Sequence, residues 1–514
     1  MRRCQTKWLQ VFTLLAHISW IGGAVAEISL WNQFRGPNGS GVAEQCAPPR
    51  SPDPDQATWK VSVPPGHSSP VLSENRLFLT AIHEDELVTM AFDKVSGELV
   101  WRAACPPAKR EKVHATSSPA ASTPTVDGDF VYVYFGSYGL LCYDFEGRTQ
   151  WTKPIPTPRS LYGMSTCPIV YKDLLIFVLD DENNLKDSKL SQSKVFALNK
   201  RTGEQVWQTA RPFHRSGWST PMIWSHEDGH DLVVLGYKRL NGYDPESGGE
   251  KWHVNDFSRE TIAVPVAGNG HLFASAAMLG GVSDEQPDME PFWASLLPFD
   301  TNKDNKIERR EMTQYFTFPL RPDLPIGHAG FGIPLPGNEE GIKRRYDGMM
   351  QSMDKDKDGF ITREEFLSNM NFNRGKPNLM AIRPGGTGDV GDSHVVWRLH
   401  KNIPEVPSPV FHDNRLYLVR DGGVMSAIDA SSGKTLYRKR LGASGHYSPS
   451  PIIANGHVYV MSSEGVLTVV REGGDFEIVH QIDLGESVAS TPAIDADTLY
   501  LRTESRLMAF RNGH

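Results

Sequence analysis

Five segments decide how this chain folds: DKVSGELVW (93–101), DFEGRTQW (144–151), NKRTGEQVW (199–207), DPESGGEKW (244–252) and DASSGKTLY (429–437). Each opens on Asp or Asn and sets a glycine four residues before an aromatic. Asp or Asn with Gly makes a tight turn between two strands, and the aromatic that follows is placed to pack between neighbouring sheets. The flanking strands alternate apolar and polar residues, as in RLFLTA, FVYVYFG, RLYLV and HVYVMS. Upstream, each unit begins with Ser-x-Pro or a close variant, at Pro70, Pro124, Pro168, Pro221, Pro265, Pro409, Pro451 and Pro492. A typical spacing of about 40–55 residues is that of four-stranded propeller blades. The pattern predicts an all-β chain, an eight-bladed β-propeller.

Two units depart from the rule. The fifth begins AVPVAGNGHLFASAA, is interrupted, and resumes near LMAIRPGG and HVVWRL. The eighth ends with DTLYLRTESRLMAF, one strand short, while ATWKVSV (57–63) holds a spare strand with its own aromatic, Trp59. The N-terminal strand is therefore expected to complete the last blade and close the ring, which removes exposed sheet edges. The predicted organisation is a signal peptide (1–26), an N-terminal extension (27–56), blades (57–283), an inserted module (284–375) and further blades (376–514).

The repeat resembles the pyrroloquinoline-quinone-like propeller repeat of quinoprotein alcohol dehydrogenases and of the outer-membrane assembly propeller lipoprotein. LWNQFRGPNGSGVA (30–43) is similar to the opening motif of secreted bacterial propellers of this group. The resemblance implies a central funnel where family enzymes hold the quinone with a pair of adjacent cysteines, a stacked tryptophan and calcium. This sequence has no Cys-Cys pair and no recognisable Glu/Asn/Asp set in the matching repeats, so pyrroloquinoline quinone is not an expected cofactor.

The interruption reads differently. In MDKDKDGFITREEF (353–366), Asp354, Asp356 and Asp358 alternate, Gly359 follows, and Glu365 closes a twelve-residue loop. A hard cation such as calcium takes six to eight oxygens, which such a loop supplies at fixed offsets. The donors would be those three aspartates, the carbonyl of Phe360, Thr362 directly or through water, and both oxygens of Glu365. Upstream, FDTNKDNKIERREM (299–312) places Asp300, Asn302, Asp304, the Lys306 carbonyl, Glu308 and Glu311 on the same offsets. Asn305 stands where glycine is expected; asparagine tolerates the left-handed region at some cost, so the second loop is expected to bind calcium more strongly. The pair resembles the EF-hand family, which implies coupling of the loops through a short β contact at Ile307 and Ile361. Helices are predicted over Glu290–Leu297, Glu308–Phe316, Glu339–Met353 and Arg363–Met370, with Ile342, Tyr346, Met349, Met350 and Met353 forming an apolar face. The Pro- and Gly-rich stretch 319–337 reads as a loop.

Arg2, Arg3 and Lys7, the apolar run Trp8–Ile21 and Ala24-Val25-Ala26 read as an export signal, and no later stretch is long enough to span a bilayer. Without those three charges the chain carries 50 basic against 61 acidic residues, a net of −11, which argues against nucleic acid as a partner. In an oxidising compartment Cys46, Cys105, Cys142 and Cys167 could form up to two disulfides, with three possible pairings. No GxSxG elbow, HExxH or phosphate-cradling glycine loop is present. The loops just before the blade openings carry His67, His114, Tyr162, His214, Arg215, Trp218, His446 and Tyr447. They are candidates to hold a small polar or anionic ligand at one mouth of the channel. The reading that follows is an exported, calcium-binding, non-catalytic scaffold with a protein or glycan partner; the alternative is a quinoprotein-like oxidoreductase.

Overall fold

The computed structural model describes residues 30–160, 162–181, 193–212, 214, 217–258, 261–277, 290–313, 318–319, 332–333, 339–370, 377–443 and 445–512. The expected signal segment, Arg215 and most of the loop 319–337 lie outside them. The sheets form an eight-bladed β-propeller. In the first blade the strands are Val71–Leu72, Arg76–His83, Glu86–Asp93 and Leu99–Ala104, paired in sequence order and antiparallel. The middle strands face a neighbouring sheet on both sides, so Leu77, Phe78, Leu79 and Ala81 are all fully buried. The outermost strands bury mainly their aromatic, as in TQWTKP (149–154), where only Trp151 is buried.

The turn motif locks each blade to the next. In the first unit the Asp93 carboxylate accepts the N–H groups of Val95 and Ser96, at 3.0 and 2.9 Å, and Gly97 adopts φ +75°. A Cβ added to Gly97 would lie 2.6 Å from the ring of Trp59, so close approach as well as backbone conformation demands glycine. The same contact recurs around the ring, with Trp101 on Gly147, Trp151 on Gly203, Trp207 on Gly248 and Trp397 on Gly433. Four of these indoles also donate to a turn carbonyl of the next blade: Trp59 to Lys94, Trp101 to Phe145, Trp151 to Lys200 and Trp397 to Ala430. Tyr437 does the equivalent by packing on Phe476, ring centroids 5.5 Å apart. Trp252 is different: its indole donates to buried Asp231 at 2.6 Å, and an extra strand, Gly388–Asp389, lies alongside it.

The ring closes as the sequence implied. Trp59–Ser62 pairs antiparallel with Arg506–Arg511, Trp59 opposite Ala509, and supplies the missing strand of the eighth blade. A second closure, not foreseen, explains the Ser-x-Pro openings. The residue before each proline sits at the neck of the channel, and its N–H donates to the side chain of its counterpart in the next blade. The steps run from Ser69 to Thr123 Oγ1 (2.9 Å), Thr123 to Cys167 Sγ (3.2 Å) and Cys167 to Thr220 Oγ1 (3.1 Å). They resume from Val264 to Ser408 Oγ (2.9 Å), then Ser450 Oγ (3.0 Å), Thr491 Oγ1 (3.0 Å) and back to Ser69 Oγ (2.9 Å). Val264 has no hydroxyl, so the step from the fourth blade to the fifth lacks this bond.

The N-terminal extension is a built part of the ring. Leu72 and Val126 donate their N–H groups to the carbonyls of Trp31 and Asn32, and Ile453 donates to Gly41. Asn38 pairs with the backbone of Ile223, and Arg35 Nη2 reaches the Pro409 carbonyl at 2.6 Å. Segment 31–43 thus crosses the axis from the first two blades to the fourth, sixth and seventh. Its end, Val42–Ala43, adds a parallel strand to the inner edge of the seventh blade, beside Ile452–Ala454.

The four cysteines are free thiols, so the expectation of disulfides is corrected. Each serves a different place, and Cys167 takes the role of a hydroxyl in the neck ring. Burial pushes the Cys105 thiol up to about 12 and raises the other three as well. No helix among the described residues is long and apolar enough to cross a membrane.

Candidate metal centre and channel mouth

The insert leaves the fifth blade after His271–Ala276 and returns at Asn378–Ile382, between its second and third strands. Helices Glu290–Leu296, Glu339–Met353 and Arg363–Met370 are present. The helix expected over Glu308–Phe316 is, in the described residues, a single turn, Arg309–Glu311. A reciprocal cap between Glu308 and Glu311 fixes that turn. Trp293, Leu296, Phe299, Ile307, Met312, Tyr346, Met349, Met353, Ile361 and Phe366 form one small apolar core. Met349 and Met353 are packed in it, while Ile342 and Met350 lie at its edge.

The two acidic loops meet back to back. Lys306–Glu308 pairs antiparallel with Phe360–Thr362, Ile307 opposite Ile361. Gly359 takes φ +90° and Asn305 φ +60°, the left-handed turn that each loop requires. In the second loop one carboxylate oxygen each of Asp354, Asp356 and Asp358 falls within 4.8 Å of the others. Asp354 Oδ2 accepts the Gly359 N–H at 3.0 Å, whereas its buried Oδ1 has no hydrogen-bond partner. An orphaned, buried carboxylate oxygen facing two further carboxylates fits a hard divalent cation.

Glu365 is braced for the same point. Its Oε1 accepts Lys355 N–H at 2.8 Å; its Oε2 accepts Thr362 N–H at 2.9 Å and Thr362 Oγ1 at 2.8 Å. Burial pushes this carboxyl up, but those donors outweigh it and hold it below the usual carboxylate range. Glu311 of the first loop is held in the same way by Glu308 N–H, by Thr301 and by Asn302 N–H. The loops then diverge. In the first, the Asn302 amide donates to Asp304 Oδ2 at 3.1 Å, and the Glu308 carboxylate pairs with Arg310. Lys306 Nζ lies 3.8 Å from Asp358 Oδ2, so a cation of one loop borders the oxygens of the other.

The mouth residues do not form one cluster. His114, Tyr162 and Trp218 make an aromatic chain with centroid distances of 5.2 and 5.6 Å, and Trp218 Nε1 donates to the Gly163 carbonyl at 2.7 Å. His214 is buried against Arg211, which forks onto Asp180 at 2.8 and 3.0 Å and donates to the Tyr243 hydroxyl. Burial, reinforced by Arg211, keeps that imidazole neutral. His67 is lowered to about 4 by burial and then by Arg502. His446 faces Asp421 Oδ2 at 2.8 Å and is raised by that bond, while Tyr447 N–H donates to Asp421 Oδ1. Sequence reading missed Glu111, whose carboxylate lies against Gly136 and Gly163 and is pushed up to about 7 by burial. A lone glutamate in an irregular loop carries no signal that could have found it.

Ring, neck and repeat turns together define a propeller of the quinoprotein-like repeat type, carrying a paired EF-hand-like insert. The family described as outer membrane protein assembly factor BamB matches residues 51–217, 191–286 and 389–513, and the chain belongs to it. The EF hand family matches residues 346–370. No curated protein matches the chain. Among solved structures, BamB from Moraxella catarrhalis is 10% identical with a TM-score of 0.50, covering 89% of this chain and 98% of its own. The quinohemoprotein alcohol dehydrogenase ADHIIG from Pseudomonas putida HK5 is 11% identical, TM-score 0.51, covering 94% of this chain and 80% of its own. A europium-containing methanol dehydrogenase is 10% identical, TM-score 0.52, covering 95% and 99%. At these identities the likeness is one of fold.

Proposed function

We propose that this protein is an exported, non-catalytic propeller scaffold whose inserted module is rigidified by calcium at two sites, the second the stronger. The observation that carries the metal reading is the orphaned Asp354 Oδ1 beside Asp356 and Asp358, with Glu365 already braced across the loop. The donors would be Asp354, Asp356, Asp358, the Phe360 carbonyl, Thr362 and Glu365, and in the first loop Asp300, Asn302, Asp304, the Lys306 carbonyl, Glu308 and Glu311. The first loop is the weaker reading because an amide and an arginine-paired glutamate replace free carboxylates. Outside the cell calcium is abundant and loops of this kind bind at roughly 0.1–1 mM, which suits a structural role.

The scaffold reading is supported by membership of an assembly-factor family and by a sequence without the adjacent cysteines of the quinone enzymes. Its partner would be a protein or a surface glycan. Chelation is the test. Removing calcium should raise protease cleavage within 284–375 and cost the module about 1–2 kcal/mol. Glu365→Gln should reproduce most of that change, since it removes one anionic ligand. Identical digestion patterns with and without chelator would refute the proposal.

A further inference from the structure

The sixth blade carries a second feature on the face from which the insert springs. Its second strand ends at Arg420 and its third begins at Val424, so the turn 421–423 occupies the position that the insert takes in the fifth blade. Antiparallel register sets Arg420 and Arg440 on either side of Val424, and Arg438 opposite Ser426. Residues opposite one another share a face of the sheet, so three guanidinium groups stand on the same face. With Asn402 and Lys439 they line a cleft of about 430 Å³, the size of a small-ligand site.

These cations are not neutralised by the protein. Arg420 Nη1 reaches only the Asn402 side-chain oxygen, at 3.4 Å, and Arg440 Nη1 donates to the Gly422 carbonyl at 3.0 Å. The side chains of Arg438 and Lys439 make no hydrogen bond or ion pair to a described residue. Asp421, the acid next to Arg420, is turned to His446 and Tyr447 instead. Some exposed arginines on other blades are paired, as Arg148 with Asp144, Arg201 with Asp129 and Arg471 with Glu477, whereas none of the three here has an acidic partner among the described residues. Arg420 and Arg440 stand on the two strands that flank Val424–Asp429, and no carboxylate among the described residues bonds to either. The whole chain has a net charge of −8, so this is a local feature and not the edge of a basic surface.

Guanidinium forks match the paired oxygens of oxyanions. Three guanidinium groups on one face are balanced better by a sulfate or phosphate group than by a single carboxylate. From this geometry we infer that the sixth-blade cleft binds a ligand bearing a sulfate or phosphate group. The site is independent of the calcium loops.

The test uses the full chain and follows binding by calorimetry at constant ionic strength. Inorganic sulfate, inorganic phosphate and a sulfated oligosaccharide are the probes, with acetate as control. Saturable one-to-one binding of sulfate or phosphate is expected, weakened by at least about tenfold in Arg438→Gln/Lys439→Gln. Those two side chains hold no contact that folding needs. Tighter binding of the oligosaccharide than of the free ions assigns the source to a glycan, and equal binding assigns it to the free ion; either upholds the site. In the unaltered protein, sulfate but not acetate should also protect Arg438 from phenylglyoxal, read by peptide mass mapping. No saturable binding, or equal affinity in a natively folded double variant, overturns the inference.

Discussion

The ring and the insert solve the same problem, how to hold polar groups in place, by opposite means. In the ring each carboxylate of a repeat turn is answered from within: Asp93, Asp244 and Asp429 accept N–H and hydroxyl donors from their own turns. In the insert, three carboxylate groups converge and one buried oxygen has no donor. The core beneath it is a single cluster of ten buried residues, whereas the ring is built from several such clusters joined through blade after blade. A ring that closes on itself needs no outside help. In the small module converging carboxylates leave one buried oxygen unanswered, and this contrast sets where each perturbation should be felt.

The largest effect should come from breaking a blade lock. Trp151→Ala removes an indole packed on Gly203 and bonded to the Lys200 carbonyl, and should cost about 3–5 kcal/mol. Denaturant melts should show the loss in the main transition of the ring, while the calcium-dependent digestion pattern of the insert stays as it was. If the insert alone responds, the two regions are not distinct in the sense argued.

Thr123→Val should follow. It leaves the buried N–H of Ser69 without an acceptor and keeps the shape of the side chain, at a cost of about 1–3 kcal/mol. A change in the melt well below 1 kcal/mol would show that the neck ring is decorative.

Acid sharpens the comparison at smaller amplitude. Hydrogen bonds from Ser96, against a smaller effect of burial, and from Ser432 hold Asp93 and Asp429 below the ordinary carboxylate range. A depressed folded pKa means that the contribution is fully present above the unfolded value of about 3.9 and is lost as pH falls through the folded one. Wild-type stability should therefore decline at low pH below about 4, and Asp93→Asn should flatten part of that slope. An unchanged slope in the variant would remove Asp93 from the account.

Much of this was legible without coordinates, for a physical reason. Turn chemistry and strand alternation are local, so DKVSGELVW and its four relatives announce a turn, a strand and a packing aromatic wherever they stand. The calcium-type loop is equally local: its oxygens, its left-handed Gly359 and its closing Glu365 lie within twelve consecutive residues. The spare Trp59 was readable because it is the one aromatic strand without a blade of its own. Over its described residues the helix expected after Glu308 is only the turn Arg309–Glu311, because a place beside the loop says nothing about the Glu308–Glu311 cap or the non-helical Met312 that follows.

What the sequence determined alone, then, is the repeat, its count, its closure and the EF-hand pattern of the inserted segment, all carried by residues near one another in the chain. Only the tertiary structure decided which distant groups meet. It joined the residues before each proline into a hydrogen-bonded neck and laid segment 31–43 across the axis. It also split the histidines of the mouth among separate partners and gathered three arginines of the sixth blade on one face beside a cleft. Those meetings depend on how eight sheets twist round a common axis, and no stretch of chain shorter than the whole ring contains that information.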